Sequence, residues 1–141
     1  MLMPVSQLPV PVLFLYCIAV AFLLIYFPFL AVAFARIGVG YDYYAPRAMF
    51  EKLPPYAQRA TWAHQNSFEA FPIFAAAALM AYVTGVNSPI SAWAALSFIA
   101  ARLLYSVFYI SNIPLLRSLM YAIGLVCSCT LFVLSIIQAS S

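Results

Sequence analysis

From Val10 to Ala35 the chain carries no charged residue, and a helix needs only about 20 apolar residues to cross the hydrocarbon core of a bilayer. A run of that kind belongs in lipid or in the middle of a large core, and composition decides between them. Of the 141 residues, 67% are hydrophobic and 6% charged, with a mean hydropathy of +1.05. A soluble domain carries about 25% charged residues. The chain therefore reads as an integral membrane protein. A transmembrane barrel would alternate apolar and polar positions in segments of about 10 residues, whereas the apolar runs here are unbroken. The predicted fold class is all-α, an antiparallel bundle of four membrane-spanning helices forming one membrane domain over 1–141, with no length left for a separate soluble domain.

Punctuation divides the chain. Met1 to Pro11, with three prolines and no charge, is expected to be an extended lead-in. The predicted spans cover about 10–35, 56–84, 90–110 and 115–138. Pro28 is expected to bend the first by removing a backbone hydrogen bond. The substantial loop between Arg36 and Arg59 can form a short interfacial helix over Pro46–Leu53, with Tyr41, Tyr43 and Tyr44 at headgroup level. The N-terminus has no positive charge and its apolar run exceeds a signal h-region, so the first helix is expected to stay in the mature protein. Cys17, Cys127 and Cys129 lie in apolar runs without ligand spacing and read as helix-packing residues, with no metal site. A net charge of +3 without a basic cluster interleaved with aromatics gives no reason to expect nucleic acid. Arg36, Arg47, Lys52, Arg59, Arg102 and Arg117 all lie in, or next to, the loops 36–59 and 111–114. The excess of positive charge predicts that these loops are cytoplasmic and that both termini lie on the opposite side.

Polar residues inside the spans are the functional candidates, because an ionisable side chain facing lipid costs several kcal/mol. They concentrate between Arg59 and Pro72, RATWAHQNSFEAFP. At 100° per residue, Arg59, Trp62, Asn66 and Glu69 share an arc of about 80°, with Gln65 at its edge and His64 nearly opposite. The same spacing aligns Arg102, Tyr105 and Tyr109 on the third span, and Arg117, Tyr121, Gly124 and Ser128 on the fourth. At about 1.5 Å per residue, Glu69 and Arg102 come level. They are expected to form either a purely structural ion pair or the edge of a cavity for a charged ligand. Arg36, Arg59 and Arg117 near the same end have no carboxylate at their depth, which favours an anionic guest. His64 reads as an interhelical or interfacial hydrogen bonder.

These residues resemble the MAPEG family, the membrane-associated proteins in eicosanoid and glutathione metabolism, which includes the microsomal glutathione transferases. The likeness rests on RAxxAHxNxxExxP from Arg59 to Pro72, ARxxYxxxY from Ala101 to Tyr109, and PxxRSxxY from Pro114 to Tyr121. It implies a homotrimer of four-helix subunits in membrane lipid. Glutathione, as co-substrate, would bind between subunits near the cytoplasmic face, and a lipophilic substrate would arrive from the bilayer. Carried onto this chain, Asn66 and Glu69 hold the glutathione backbone, Arg102 supports Glu69, Tyr105 and Tyr109 belong to the same site, and Tyr109 hydrogen-bonds the peptide. Arg117 and Ser118 face the sulfur as the catalytic pair, with Tyr121 beside them. Arg36 and Arg59 are the forks available for the two carboxylates. A basic residue usual in the family's better-known enzymes at Trp62 or Gln65 is missing here.

The function so implied is conjugation of glutathione thiolate to a lipophilic electrophile, with peroxidase activity as a variant. The missing cation motivates a second reading, a non-catalytic relative that binds a lipid or an anionic metabolite. A third, a small proton-coupled exporter, fits less well. Such exporters carry their acid in the first helix, and here it is in the second beside a levelled arginine.

Overall fold

The computed structural model describes residues 9–141. The lead-in expected for Met1–Pro11 lies outside the described residues up to position 8, while Pro11 falls inside the first turn of a helix. Four long helices follow: α1 (Val10–Gly38), α2 (Pro55–Val83), α3 (Pro89–Ile110) and α4 (Pro114–Ala139). Each is long and apolar enough to cross a bilayer, so the four expected spans are all present. α2, α3 and α4 each begin one residue before the predicted position, because a proline opens them. Proline has no N–H to lose in a first turn and its fixed φ already suits the helix. α1 runs two residues past Arg36, which sits in its last turn where a cation meets the exposed carbonyls.

The two tight links close in the same way. After α2, Gly85 takes φ +73°, its N–H reaches Tyr82 O at 3.2 Å, and the N–H of Val86 reaches Ala81 O at 2.9 Å. After α3, Asn112 takes φ +60°, with its N–H on Tyr109 O and that of Ile113 on Phe108 O. Both are Schellman closures, and each lies just ahead of a proline that starts the next helix. A Cβ on Gly85 would meet nothing within 4 Å, so only its backbone conformation resists substitution. Gly85→Ala is therefore expected to cost about 1–2 kcal/mol and lower the thermal midpoint in detergent by a few degrees. An unchanged midpoint would show that this turn does not limit stability.

In cross-section α1 packs on α2 and α3, α4 packs on α3 and α2, and α2 meets α3 across the short diagonal. Close approach comes from a stripe of small residues on α2, Ala57, Ala60, Ala63, Ser67, Ala77, Ala78 and Ala81, all buried. In lipid there is little hydrophobic drive between helices, so small side chains that bring backbones together supply the packing. The core has two apolar clusters. One joins Phe14, Phe74, Phe98 and Leu131 at the end near the 85–89 turn, and the other joins Val32, Leu53, Ala57 and Ala60 near the 36–59 loop. Between them lie Ser67, Arg102, Ser106 and Ser128, all buried.

The interfacial piece is a 3₁₀ helix over Pro46–Lys52. It is tied to α2 by Gln58 Nε2, which donates to Leu53 O at 3.1 Å and Phe50 O at 3.4 Å. Tyr41, Tyr43 and Tyr44 are exposed beside it. Cys17 and Cys127 are buried, as packing residues should be, but Cys129 lies on the outer surface of α4 and fills no core space.

Candidate functional site

The polar stripes of α2, α3 and α4 meet in the layer between the two apolar clusters. Arg102 is only 5% exposed, and a guanidinium at that depth needs acceptors. Its Nη2 donates to Asn66 Oδ1 at 3.1 Å and to Ser67 Oγ at 3.2 Å. Asn66 Nδ2 in turn donates to Glu69 Oε2 at 3.4 Å. The amide can sit only this way round, since a flip would aim its NH₂ at the guanidinium and its oxygen at the carboxylate. Of the two arrangements expected for Glu69 and Arg102, the direct ion pair is replaced by a relay with Asn66 between cation and anion, while both side chains edge one cavity. Level depth is right for both residues, but the intervening amide takes the contact.

Aromatic rings frame this relay. The Arg102 guanidinium carbon lies 4.3 Å from the centroid of Tyr105, and that of Arg117 lies 4.6 Å from the centroid of Tyr109. Tyr105 packs edge-on to Tyr109 at 5.5 Å and tilts toward Tyr121 at 6.4 Å. Trp62 is held between Phe50 of the 3₁₀ helix at 5.5 Å and Tyr109 at 6.4 Å. A guanidinium over a ring face is favourable and also fixes the plane of its fork. Arg117 therefore has a set position at the start of α4.

Three clefts open from these residues and share Asn66. One, of about 720 Å³ with its open mouth, is bounded by Trp62, Gln65, Glu69, Tyr105 and Tyr109. A second, of about 570 Å³, is bounded by Tyr105, Tyr109, Arg117, Ser118 and Tyr121. The third runs inward as a chamber of about 420 Å³ between Glu69, Arg102, Tyr121 and Ser128, with Phe98 and Gly124 among its walls. Asn66, Glu69, Arg102, Tyr105, Tyr109, Arg117, Ser118 and Tyr121 are thus brought together within this one chain. Together they can bind a guest with a cation toward Glu69 and an anion or sulfur toward Arg117.

Arg36 and Arg59 line none of these clefts. Arg59 shares the helical face of Asn66, but its Nε donates at 3.0 Å to Ile110 O, the end of α3. An arginine there satisfies a terminal carbonyl that would otherwise have no partner. Arg36 lies on α1, 5.8 Å from the Phe29 centroid, and its buried Nε has no hydrogen-bond partner among the described residues. His64 is interhelical: its Nδ1 is 2.7 Å from Ile25 O on α1, among the rings of Tyr26, Phe29 and Phe68. That bond lies one residue from Leu24, whose carbonyl loses its helical donor at Pro28, and α1 stays continuous through the proline.

Ser67 escaped the sequence reading. Its hydroxyl accepts from Arg102 and donates to Ala63 O at 2.9 Å. The available signal was a hydroxyl in the register of Ala60 and Ala63, where the small-residue stripe of α2 faces α3.

The sequence profile described as MAPEG family matches residues 13–137. No curated protein and no solved structure matches the chain.

Proposed function

The chain belongs to the MAPEG family, and from that premise we propose that it is a glutathione-dependent transferase acting on a lipophilic electrophile. The family places it among integral, multi-pass membrane proteins of glutathione and eicosanoid metabolism. The observation that carries the finer reading is the Arg102–Asn66–Glu69 relay, opening onto clefts that reach Arg117 and Ser118. Glu69 takes the α-ammonium of glutathione, and Asn66, Tyr105 and Tyr109 take its backbone. Arg117 lies beside the sulfur with Ser118 and Tyr121.

The chemistry demanded is small. A free thiol has a pKa of about 8.5 and only its thiolate attacks, so a fixed guanidinium beside the sulfur raises the reactive fraction at neutral pH. The sulfur then bonds to the electrophilic carbon, and the displaced electron pair leaves with the leaving group or moves onto the acceptor.

The working unit is a homotrimer in membrane lipid. Glu69 is exposed in the single subunit although it lies inside a span, and a neighbouring copy removes the carboxylate from hydrocarbon. Arg36, on a helix that takes no part in the clefts, reaches a guest only from a neighbouring subunit. The distribution of Lys and Arg supports a placement of the loops 36–59 and 111–114 in the cytoplasm.

Titrating glutathione into the protein in maltoside detergent is expected to give a saturable thiolate absorbance at neutral pH, about tenfold weaker in Arg117→Ala. A signal absent from the wild type, or indifferent to that substitution, would sink the transferase reading. It would leave the alternative, a lipid- or anion-binding relative, for which the absence of any basic side chain from the Trp62–Gln65 cleft already speaks.

A further inference from the structure

A smaller cavity lies on the α1 side of Arg102, where α1, α2 and α3 meet. Ala21, Leu24 and Ile25 of α1, Ser67 of α2, and Phe98 and Arg102 of α3 form its walls, and all of these but Leu24 are buried. The room it offers a water-sized body is about 10 Å³, roughly what one water molecule needs. Three of its walls carry unused polarity. Pro28, fully buried, deprives the Leu24 carbonyl of its helical donor. No side chain among the described residues replaces that donor, since His64 goes to the next carbonyl, Ile25 O. Ser67 Oγ accepts one hydrogen from Arg102 and gives its own to Ala63 O, which leaves it a lone pair. Both hydrogen bonds of Arg102 leave from Nη2, so Nε and Nη1 keep their hydrogens free among the described residues. Arg36 Nε is the one unpartnered side-chain nitrogen there that is sealed from water-sized space, so the free Arg102 donors border such space. Ser67 lines this cavity and none of the three clefts, so the guanidinium meets the cavity where it meets Ser67.

We propose that this cavity binds a single water, which accepts a hydrogen from the Arg102 guanidinium and donates to Leu24 O and Ser67 Oγ, and that Pro28 thereby positions Arg102. Three hydrogen bonds are what a buried water typically makes. A cation here would face the guanidinium and an anion would face the carbonyl, so a neutral molecule that both donates and accepts fits the walls. Bulk water does not reach a carbonyl freed by proline inside a bilayer, and an ordered water is one of the few ways to satisfy it. The bridge gives α1 a part in the site. That helix lines none of the three clefts, yet through Leu24 O and the water it fixes the plane of the guanidinium that holds Asn66 toward Glu69. Pro28 touches no guest and acts through Arg102. The inference stands whether or not the clefts take glutathione.

The test uses the full protein in maltoside, without glutathione and with its arginines labelled with ¹⁵N. The Arg102 signals are those that Arg102→Met removes, and their line shapes give the rate at which Nη1 and Nη2 exchange places by rotation of the guanidinium. Pro28→Ala returns an N–H to Leu24 O and so takes away the water's backbone acceptor. The exchange is expected to become about tenfold faster, the effect of losing one hydrogen bond to a charged group. Arg59, held by Ile110 O at the end of α3, is the internal control, because a general loosening of the bundle would quicken both arginines. An Arg102 rate unchanged by Pro28→Ala, or raised no more than that of Arg59, overturns the proposal. Should Pro28→Ala fail to fold, crystals of the wild type decide the matter. They are expected to show one ordered water about 3 Å from Leu24 O, Ser67 Oγ and an Arg102 nitrogen, and well-ordered walls without that water overturn the proposal equally.

Discussion

Replacing Arg102 with methionine is expected to abolish saturable glutathione binding while leaving the protein folded. Methionine fills the volume of the arginine stem, but Asn66 Oδ1 and Ser67 Oγ lose the donor that reaches them at 3.1 and 3.2 Å. An unsatisfied buried acceptor costs about 1–3 kcal/mol. Ser67 keeps its bond to Ala63 O, so most of the loss falls on Asn66, which is then free to turn away from Glu69. Two such effects reach about 3 kcal/mol, a loss of more than a hundredfold in affinity. Global stability should move far less, because the desolvation penalty of the cation disappears with its contacts. Arg102→Lys keeps the charge but offers a point donor in place of a fork, and is expected to fall between the two. Glutathione titration and the thermal midpoint, measured on the same preparations, separate these effects. A methionine variant that binds like wild type would show that Asn66 needs no support, and a collapsed midpoint would make Arg102 a folding residue first.

The spans were legible because each of their signals is local: charge-free runs, proline and glycine punctuation, and the lysine and arginine confined to two loops. The first residues of α2, α3 and α4 were misplaced by one because proline was read as a boundary outside the helix, when its missing N–H makes it the natural first helical residue. The polar stripes of α2, α3 and α4 followed from the 100° period, and the clefts are built from them. A helical wheel gives direction and depth, however, and says nothing about reach or competition. Arg59 points along the face of Asn66, yet the end of α3 lies nearer and takes its Nε. Arg102 comes level with Glu69, yet an amide one turn up the same helix intervenes. Ser67 passed unseen because a serine in a stripe of alanines looks like packing until a guanidinium is placed against it. The polar rim of the inner chamber, Asn66, Glu69, Arg102, Tyr121 and Ser128 with Gly124, follows the stripes read from sequence, but its apolar walls, Ile73, Phe98 and Leu125, come from three helices and meet only when these are docked.

On the trimeric, glutathione-dependent reading proposed above, Glu69→Gln should weaken glutathione by about ten- to a hundredfold without altering the mass of the assembly. In the single chain the carboxylate is exposed, and its one hydrogen-bond partner among the described residues is Asn66 Nδ2 at 3.4 Å. Glutamine offers an oxygen to that same donor, so the relay to Arg102 can persist and only the charge is removed. A charge-assisted hydrogen bond is roughly twice as strong as a neutral one, and bonds to charged groups contribute about 1.5–3 kcal/mol, which sets the expected range. The substitution also separates two reasons for placing a carboxylate inside a span. If Glu69 serves a guest's ammonium, glutathione binding falls and native mass spectrometry still reports three copies, because a neutral amide is easier to bury between subunits than a carboxylate. If it serves the neighbouring subunit instead, the trimer dissociates to single copies and the thiolate signal falls in proportion to the trimer that is lost. A variant that keeps both the trimer and full glutathione affinity would leave Glu69 outside the site, and the relay from Arg102 would then end at Asn66.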